Sequence, residues 1–209
     1  MRTFLTLTLL VLITTFCSAQ LFEGRVVYEN TYESKNTQFP SEKLQEMMGD
    51  NQTYLIKDGD YKSSMNGKFM EWQLYRNQEN KLYRKMLNSE LAFWNDAALN
   101  TDSVLSFEIN RNVVEVLGYK CDELVLNCTS GIQKYYYSRK LAIDAKLFEN
   151  HKYGNWYSFL EKAKAIPLKM VVDHPELTLT SIAISVEPME LSKSEFELPE
   201  KMATTKSPN

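Results

Sequence analysis

The sequence contains few histidines and none of the common catalytic or ligand-binding motifs. The two histidines, His151 and His174, are separated by 23 positions, and His174 precedes Pro175 in an evident turn. The zinc-binding HExxH, phosphate-binding GxxxxGK(S/T), nucleophile GxSxG and dinucleotide GxGxxG motifs do not occur in the sequence. Acidic residues are spread along many strand positions, so no catalytic pair of carboxylates can be singled out. The sequence predicts no catalytic residue, no metal ligand and no cofactor, and a protein that is not an enzyme.

Two cysteines, Cys121 and Cys128, lie beyond the N-terminal segment. On one extended strand their Cα atoms would be about 23 Å apart, because each residue adds about 3.3 Å. A disulfide needs a Cα separation of about 4.4–6.8 Å. The intervening residues contain no Gly or Pro on which the chain could turn. We therefore expect two free thiols on a strand; a disulfide is the alternative if the chain does turn between them.

The N-terminal segment has the three parts of a secretory signal peptide. Arg2 supplies a positive charge, residues 3–16 are uncharged and rich in Leu, Ile, Val and Thr, and Cys-Ser-Ala precedes the cleavage point. The apolar part is shorter than the ~20 residues of a spanning helix. The sequence predicts a signal peptide over residues 1–19 and export, to the periplasm or by secretion. Two alternatives are an uncleaved N-terminal anchor and an outer-membrane lipoprotein acylated at Cys17, where Phe16 replaces the small residue usual in lipoprotein signals.

Composition beyond residue 19 predicts one domain and excludes some partners. The 190 residues that remain suit a single core. Without Arg2, 23 basic side chains stand against 27 acidic ones, a net charge of −4. We expect no nucleic-acid partner, and no integral membrane segment after signal cleavage. The expected organisation is a single β-rich domain over residues 20–198 and a flexible C-terminal tail over residues 199–209.

Short segments rich in β-branched and aromatic residues recur about every ten positions and predict an antiparallel sheet. Asp58-Gly59 and Asn66-Gly67 are dipeptides that supply the positive φ values of tight hairpins, so the strands around them should meander. The alternating helices that a parallel sheet requires are missing. The predicted strands are 22–33, 53–57, 61–65, 68–75, 81–86, 91–94, 103–109, 113–117, 119–126, 132–138, 168–172 and 177–186.

Two segments have helical periodicity. Residues 40–48 begin with Pro, place one Leu and two Met at i, i+3 and i+4, and end at Gly49. Residues 155–163 place apolar side chains at i, i+3, i+4 and i+7. Each helix should pack its apolar face on the sheet. The predicted fold class is mainly β (α+β), with a curved antiparallel sheet that forms an incomplete barrel and two short helices packed on it.

Large apolar side chains gather on the predicted strands near the Asn-Gly turn. In residues 68–76, strand alternation places Met70, Trp72 and Leu74 together on one apolar face. On a curled sheet such a face can line a cavity for a lipid or acyl chain, or it can fill the core. Both interpretations stay open at the level of the sequence. The candidate ligand-lining residues are Tyr28, Met65, Met70, Trp72, Leu74 and Trp94.

Four short segments occur in an order known from one group of proteins. They are Phe22-Glu23-Gly24-Arg25-Val26-Val27-Tyr28, Val116-Leu117-Gly118-Tyr119-Lys120-Cys121, Ala165-Ile166-Pro167-Leu168-Lys169-Met170 and Phe196-Glu197-Leu198-Pro199. In these segments the chain resembles exported domains of Gram-negative bacteria that include the GLPGLI family and related domains of unknown function. More distantly, such domains are similar to LolA and LolB, whose incomplete antiparallel barrel is closed by helices over a lipid-binding cavity.

The resemblance implies a LolA/LolB-like barrel and a non-enzymatic domain that binds a lipid or other hydrophobic ligand in the concave face of its sheet. The alternative is an envelope protein-interaction module with a filled core and no small-molecule ligand. A cavity on the concave face favours the first function. A solid core with an exposed apolar patch of several hundred Å² favours the second. The expected partner is accordingly a lipid or acyl chain, or another envelope protein.

Overall fold

Strand-forming segments joined by short turns pair in succession in the computed structural model, which describes residues 21–208. The predicted signal peptide and Cys17 lie outside the described residues. The strands are β1 (Gly24–Ser34), β2 (Asn51–Lys57), β3 (Asp60–Met65), β4 (Met70–Arg76), β5 (Lys81–Met86), β6 (Ala92–Asp96), β7 (Val104–Val116), β8 (Tyr119–Cys128), β9 (Gly131–Ala142), β10 (Ala165–Asp173), β11 (Leu177–Pro188) and β12 (Thr204–Lys206). The two α-helices are α1 (Ser41–Met48) and α2 (Trp156–Ala163).

All twelve strands belong to one sheet, in the order β12-β6-β5-β4-β3-β2-β1-β11-β10-β9-β8-β7. The first strand lies in the middle, where it pairs with β2 on one side and with β11 on the other. Every pair is antiparallel except β12 with β6, which is parallel. β7 and β12 form separate ends, so the sheet stays open. The predicted fold class, a mainly β incomplete barrel with two helices, is confirmed.

Two glycine-containing turns, Asp58-Gly59 and Asn66-Gly67, meet different requirements of the backbone. At Asp58 and Gly59 the φ angles are 48° and 88°, as a tight hairpin between β2 and β3 requires. Gly67 departs from the prediction, because it does not adopt a positive φ. A Cβ atom there would lie 2.3 Å from the carbonyl oxygen of Met47, so glycine is needed for close approach to α1. The Asn-Gly dipeptide thus docks the β3–β4 connection on the end of α1.

The strand predicted as two pieces, 103–109 and 113–117, is one strand, β7. Its pairing with β8 shifts register between Asn110 and Val114, where a bulge accommodates the extra residues. Asn112 takes a left-handed φ of 52° inside this bulge. The polar residues 110–112, between the two predicted strands, therefore interrupt the register and leave the strand continuous.

Both helices agree with their sequence patterns. α1 follows Pro40 and ends at Gly49, whose φ is 88°. α2 buries Phe159, Leu160 and Ala163, which belong to the predicted apolar stripe. α1 lies beside β1 without a fully buried residue, whereas α2 has a deeply buried face.

The cysteine prediction is confirmed. Cys121 and Cys128 lie on the same strand, β8, and both are free and buried. Burial raises the pKa of the Cys128 thiol to about 11. The thiol is therefore protonated at neutral pH and lacks the nucleophilic character of a thiolate.

The sheet has two apolar faces, which the chain covers with different elements. The inner face, defined as the one that packs on α2, belongs to a cluster that joins residues as distant in the sheet as Leu82 on β5 and Leu124 on β8. The sheet must therefore curve around α2, which makes the inner face the concave one. The outer face carries a smaller cluster that includes Leu74 and Tyr83. Neighbouring residues Leu74 and Tyr75 belong to different clusters, as strand alternation requires.

The C-terminal segment, residues 189–206, covers the outer cluster. Leu191 and Phe196 are buried in it, and Leu198 and Met202 pack against it. The backbone then pairs with β6 as the short strand β12. The sequence suggested a flexible tail from residue 199, but composition does not reveal that β6 has a free edge whose donors and acceptors a polar segment can satisfy.

We expect Phe196→Ala to lower the free energy of unfolding by about 3–5 kcal/mol, because it deletes a buried aromatic side chain and leaves a cavity. Lys193→Ala, in the same 3-10 turn but exposed, is the matched control and should change stability by less than about 0.5 kcal/mol. Urea unfolding followed by tryptophan fluorescence measures both. Equal, small effects of the two substitutions would contradict the packing described for the C-terminal segment.

Candidate functional site

The structure separates the candidate ligand-lining residues. Tyr28 is buried on the inner face, and its hydroxyl donates to the Pro167 carbonyl at 2.7 Å. Met65 is half-buried. It lies on the same face of β3 as Ser63 and Tyr61, because it is two and four positions away from them on the strand.

The remaining candidates lie elsewhere. Trp72 and Leu74 are buried in the outer cluster, and Trp94 packs against that cluster. Met70 lies at a register irregularity between β4 and β5. The six residues therefore do not line one surface. Alternation in the sequence showed that β4 has an apolar face, but it did not show that the C-terminal segment, and not a helix, would cover that face.

Aromatic rings fill the inner face along four neighbouring strands. The centroid distances are 6.4 Å from Tyr28 to Tyr54, 5.2 Å from Tyr54 to Tyr61 and 5.4 Å from Tyr61 to Tyr75. The ring of Phe148 continues the row at 6.0 Å from Tyr75. Cross-strand aromatic contacts of this kind stabilise a sheet.

Helix α2 fills the other half of the concavity. Phe159 stacks on Tyr135 with 4.2 Å between ring centroids. Phe159 and Leu160 have no exposed surface, and Trp156 lies 6.1 Å from the Tyr61 ring. The helix thus occupies the space that an acyl chain would need between the strands.

His151 completes the packing between the aromatic row and α2. Its imidazole is 1% exposed and lies 4.2 Å from the Tyr75 ring. Its Nε2 atom forms a 2.8 Å hydrogen bond with the Tyr61 hydroxyl. Among the described residues its Nδ1 atom has no hydrogen-bond partner. Burial lowers the pKa of His151 to about 3, so the ring is neutral at physiological pH.

A hydrogen-bond network fixes the start of α2. Burial would raise the pKa of Asp102, but hydrogen bonds, first from Thr129 and Ser130, outweigh it and lower the pKa. The side-chain amide of Asn155, directly before the helix, donates to Asp102 at 2.7 Å and to the Cys128 sulfur at 3.4 Å. Asp102 therefore ties the β8–β9 turn to the N-terminus of α2.

β7 forms one end of the sheet, with β8 as its neighbour among the described strands. Between two register shifts, residues 106–110 pair regularly with β8. Phe107 and Ile109 lie opposite Leu126 and Leu124, two inner-face residues, and so extend that face outward. Phe107 is 54% exposed, partly covered by the Lys162 amino group, 4.5 Å from the ring centroid.

The β7 edge of the sheet exposes apolar side chains, and this distinguishes it from the edge at β6 and β12. Leu105, at the first register shift, is 69% exposed. At the other end of the sheet the chain's own β12 covers β6. The alternation in residues 104–110 is visible in the sequence, but the position of β7 at an edge depends on the order of all twelve strands.

Two further observations concern residues 21–208. In this range, no three or more His, Cys, Asp or Glu side chains are grouped so that they could hold a metal ion. None of the helices in the same range combines the length and apolar character needed to cross a membrane.

No protein-family model and no curated protein matches the chain. Among solved structures, it is similar to PNGF-II in the P21 space group, with a TM-score of 0.51 and 13% identity over 89% of this chain and 32% of that one. PNGF-II in the C2 space group gives a TM-score of 0.49 and 13% identity over 89% and 31%. A LolA superfamily protein from Nitrosomonas europaea gives 0.38 and 9% identity over 85% of this chain and 90% of that one.

At 13% identity the likeness to PNGF-II concerns the fold alone. The chain spans about one third of the length of PNGF-II. The LolA superfamily protein is a distant structural neighbour. Membership of the GLPGLI family stays a prediction from the short sequence segments.

We expect the pH dependence of stability to report the buried state of His151. Its pKa is about 3 in the folded state, below the ordinary 6.5. Between those values only the unfolded state binds the proton, so the stability from a neutral His151 is lost as pH falls from about 6.5, by about 1.4 kcal/mol per pH unit. His151→Gln should remove this component from urea unfolding curves recorded between pH 7 and 5.

The exposed histidine provides the control for that experiment. His174, in the β10–β11 turn, is exposed, and His174→Gln, which leaves His151 in place, should keep the loss of stability that His151 causes. Parallel pH curves for the wild type and His151→Gln would show that His151 is not buried in a neutral state.

Proposed function

We propose that this domain is a non-enzymatic interaction module that receives an extended segment of a partner envelope protein along the free edge of β7. A strand added to an exposed sheet edge gains main-chain hydrogen bonds, and the side chains on alternate positions provide selectivity. Of the two functions that the sequence left open, this is the one with a filled core.

The filled inner face favours the interaction module over the lipid-binding domain. A lipid carrier needs an apolar cavity of a few hundred Å³ or more. Here α2 and the row from Tyr28 to Phe148 occupy the concavity. A long ligand would have to displace α2, whose start is fixed by Asp102 and Asn155.

The chemistry of β7 indicates the kind of segment that would pair with it. Phe107 and Ile109 face inward, and Ser106, Glu108 and Asn110 alternate with them. A partner strand with aliphatic side chains on its inner positions would cover Phe107 and extend the core by one strand. Natural edge strands are often protected by charges and bulges; the regular stretch between the two bulges of β7 is the part open to pairing.

One comparison supports a domain that is used as a module. The fold occurs in PNGF-II within a chain about three times as long as the matching part. Export through residues 1–19, part of this proposal, would place the partner in the cell envelope or outside the cell.

Photo-crosslinking tests the proposal at the edge itself. A photoreactive phenylalanine analogue at position 107 should give a crosslinked partner in the producing cells, and mass spectrometry should map the crosslink to an extended segment. The matched control is position 182, because Ile182 is also an exposed apolar residue but lies on β11 in the middle of the sheet. With the photoreactive residue kept at position 107, Leu105→Asp on the same strand should reduce the product, with less than about 1 kcal/mol of destabilisation because Leu105 is 69% exposed.

Two kinds of result would contradict the proposal. Equal crosslinking at positions 107 and 182, or none at 107, contradicts docking on β7. Native mass spectrometry of protein purified from its own envelope should show the polypeptide mass alone. A stoichiometric lipid would instead establish the hydrophobic-ligand function and overturn the filled-core argument.

A further inference from the structure

Basic side chains surround a crevice at one end of strands β8 and β9. Its volume is about 510 Å³. The bulge of β7 forms one wall, and β8 and β9 form the others. The lining residues are Arg111, Asn112, Lys120, Asp122, Tyr137, Ser138, Arg139 and Lys140.

Positive charge is in excess in this crevice. Asp122, the single carboxylate of the lining, pairs with Arg111 and accepts the backbone amide of Asn112 at 3.0 Å. Lys120, Arg139 and Lys140 have no ion-pair partner within residues 21–208. The charge of Arg139 also lowers the pKa of Asp122, so four cations share a single carboxylate in this crevice, on a chain whose net charge is −3.

Stability alone does not account for this arrangement. Asp122 pairs with Tyr137 across β8 and β9, and Lys120 and Arg139 lie two residues beyond that pair on their own strands. Like charges that share one crevice repel each other and destabilise the folded state. The same surface is stabilised when a bound anion neutralises the excess positive charge.

A rigid, neutral donor lies at the base of the crevice. Tyr137 is 1% exposed, and its ring packs edge-on against Phe159 at 6.2 Å. The Arg111 guanidinium next to the Tyr137 hydroxyl can only donate, so among the described residues no group accepts the hydroxyl proton. Burial, followed by the charge of Asp122, raises the pKa of Tyr137, so the hydroxyl keeps its proton. A buried hydroxyl proton without an acceptor is costly unless a ligand accepts it.

We infer that this crevice binds a phosphate group, with Lys120, Arg139 and Lys140 neutralising its charge and Tyr137 donating a hydrogen bond to one of its oxygens. A carboxylate is satisfied by one bidentate arginine, whereas a phosphate dianion offers more acceptor oxygens and more charge, matching three cations and a hydroxyl. The inference does not depend on the β7 edge, because Lys120, Tyr137, Arg139 and Lys140 lie on β8 and β9.

NMR titration of the full-length mature protein tests the site with three probes. These are inorganic phosphate, glycerol 3-phosphate, and vesicles of phosphatidylglycerol with phosphatidylcholine vesicles as the neutral control. Saturable amide shifts confined to the crevice, relative to sodium chloride at equal ionic strength, are expected. Saturation by the soluble phosphates identifies a phosphorylated small molecule, and saturation by anionic vesicles alone identifies a lipid headgroup.

Substitutions locate the binding. Arg139→Gln combined with Lys140→Gln should weaken the dissociation constant by at least about tenfold, because two charge-assisted contacts are lost. Tyr137→Phe should weaken it by about threefold to tenfold. Lys43→Gln, which removes an exposed cation on α1, is the matched control and should leave it unchanged.

The result that overturns the inference is also defined. Shifts that do not saturate with any of the three probes, or a loss of affinity in Lys43→Gln as large as in the double variant, would show general charge screening. Thermal melting of each variant confirms that it is folded. The crosslinking at β7 has a separate readout, so failure of one proposal is distinguishable from failure of the other.

Discussion

Packing of α2 against the concave side of the sheet is the constraint on which the rest of the structure depends. Over residues 21–208 the sheet is open at both ends, so no hydrogen bonds between described strands close it. Phe159 and Leu160 give its distant strands a common surface to bury. The bonds from Asn155 to Asp102 hold the helix at the one place where its apolar face meets Tyr135. The curvature of the sheet and its packed core follow from that contact.

Much of this architecture could be predicted from local signals. The Asp58-Gly59 turn, the apolar stripe of α2 and the alternating strands depend on short-range preferences, and these elements were placed within a few residues. The two thiols of β8 followed from the length of an extended chain. Each of these features depends on neighbours in sequence, which is the information that one sequence contains.

What escaped prediction depends on contacts between distant residues. Alternation assigned Trp72 and Leu74 to one face of β4, but only the position of Phe196 decides that this face is the outer one. The polar strand β12 forms because β6 offers a free edge. The exposure of Phe107 follows from the order of the strands. For the same reason the candidate lining divided between two faces, and the β7 edge was not recognised as a candidate surface.

The central claim is that the concave side of this sheet is a packed core. The free energy of unfolding of Phe159→Ala tests it most directly, because Phe159 is fully buried between α2 and the sheet. A packed core predicts a loss of about 3–5 kcal/mol with a single cooperative transition. A loss of less than about 1 kcal/mol would mean that the ring borders a cavity that can accommodate a ligand, and it would contradict the packed core.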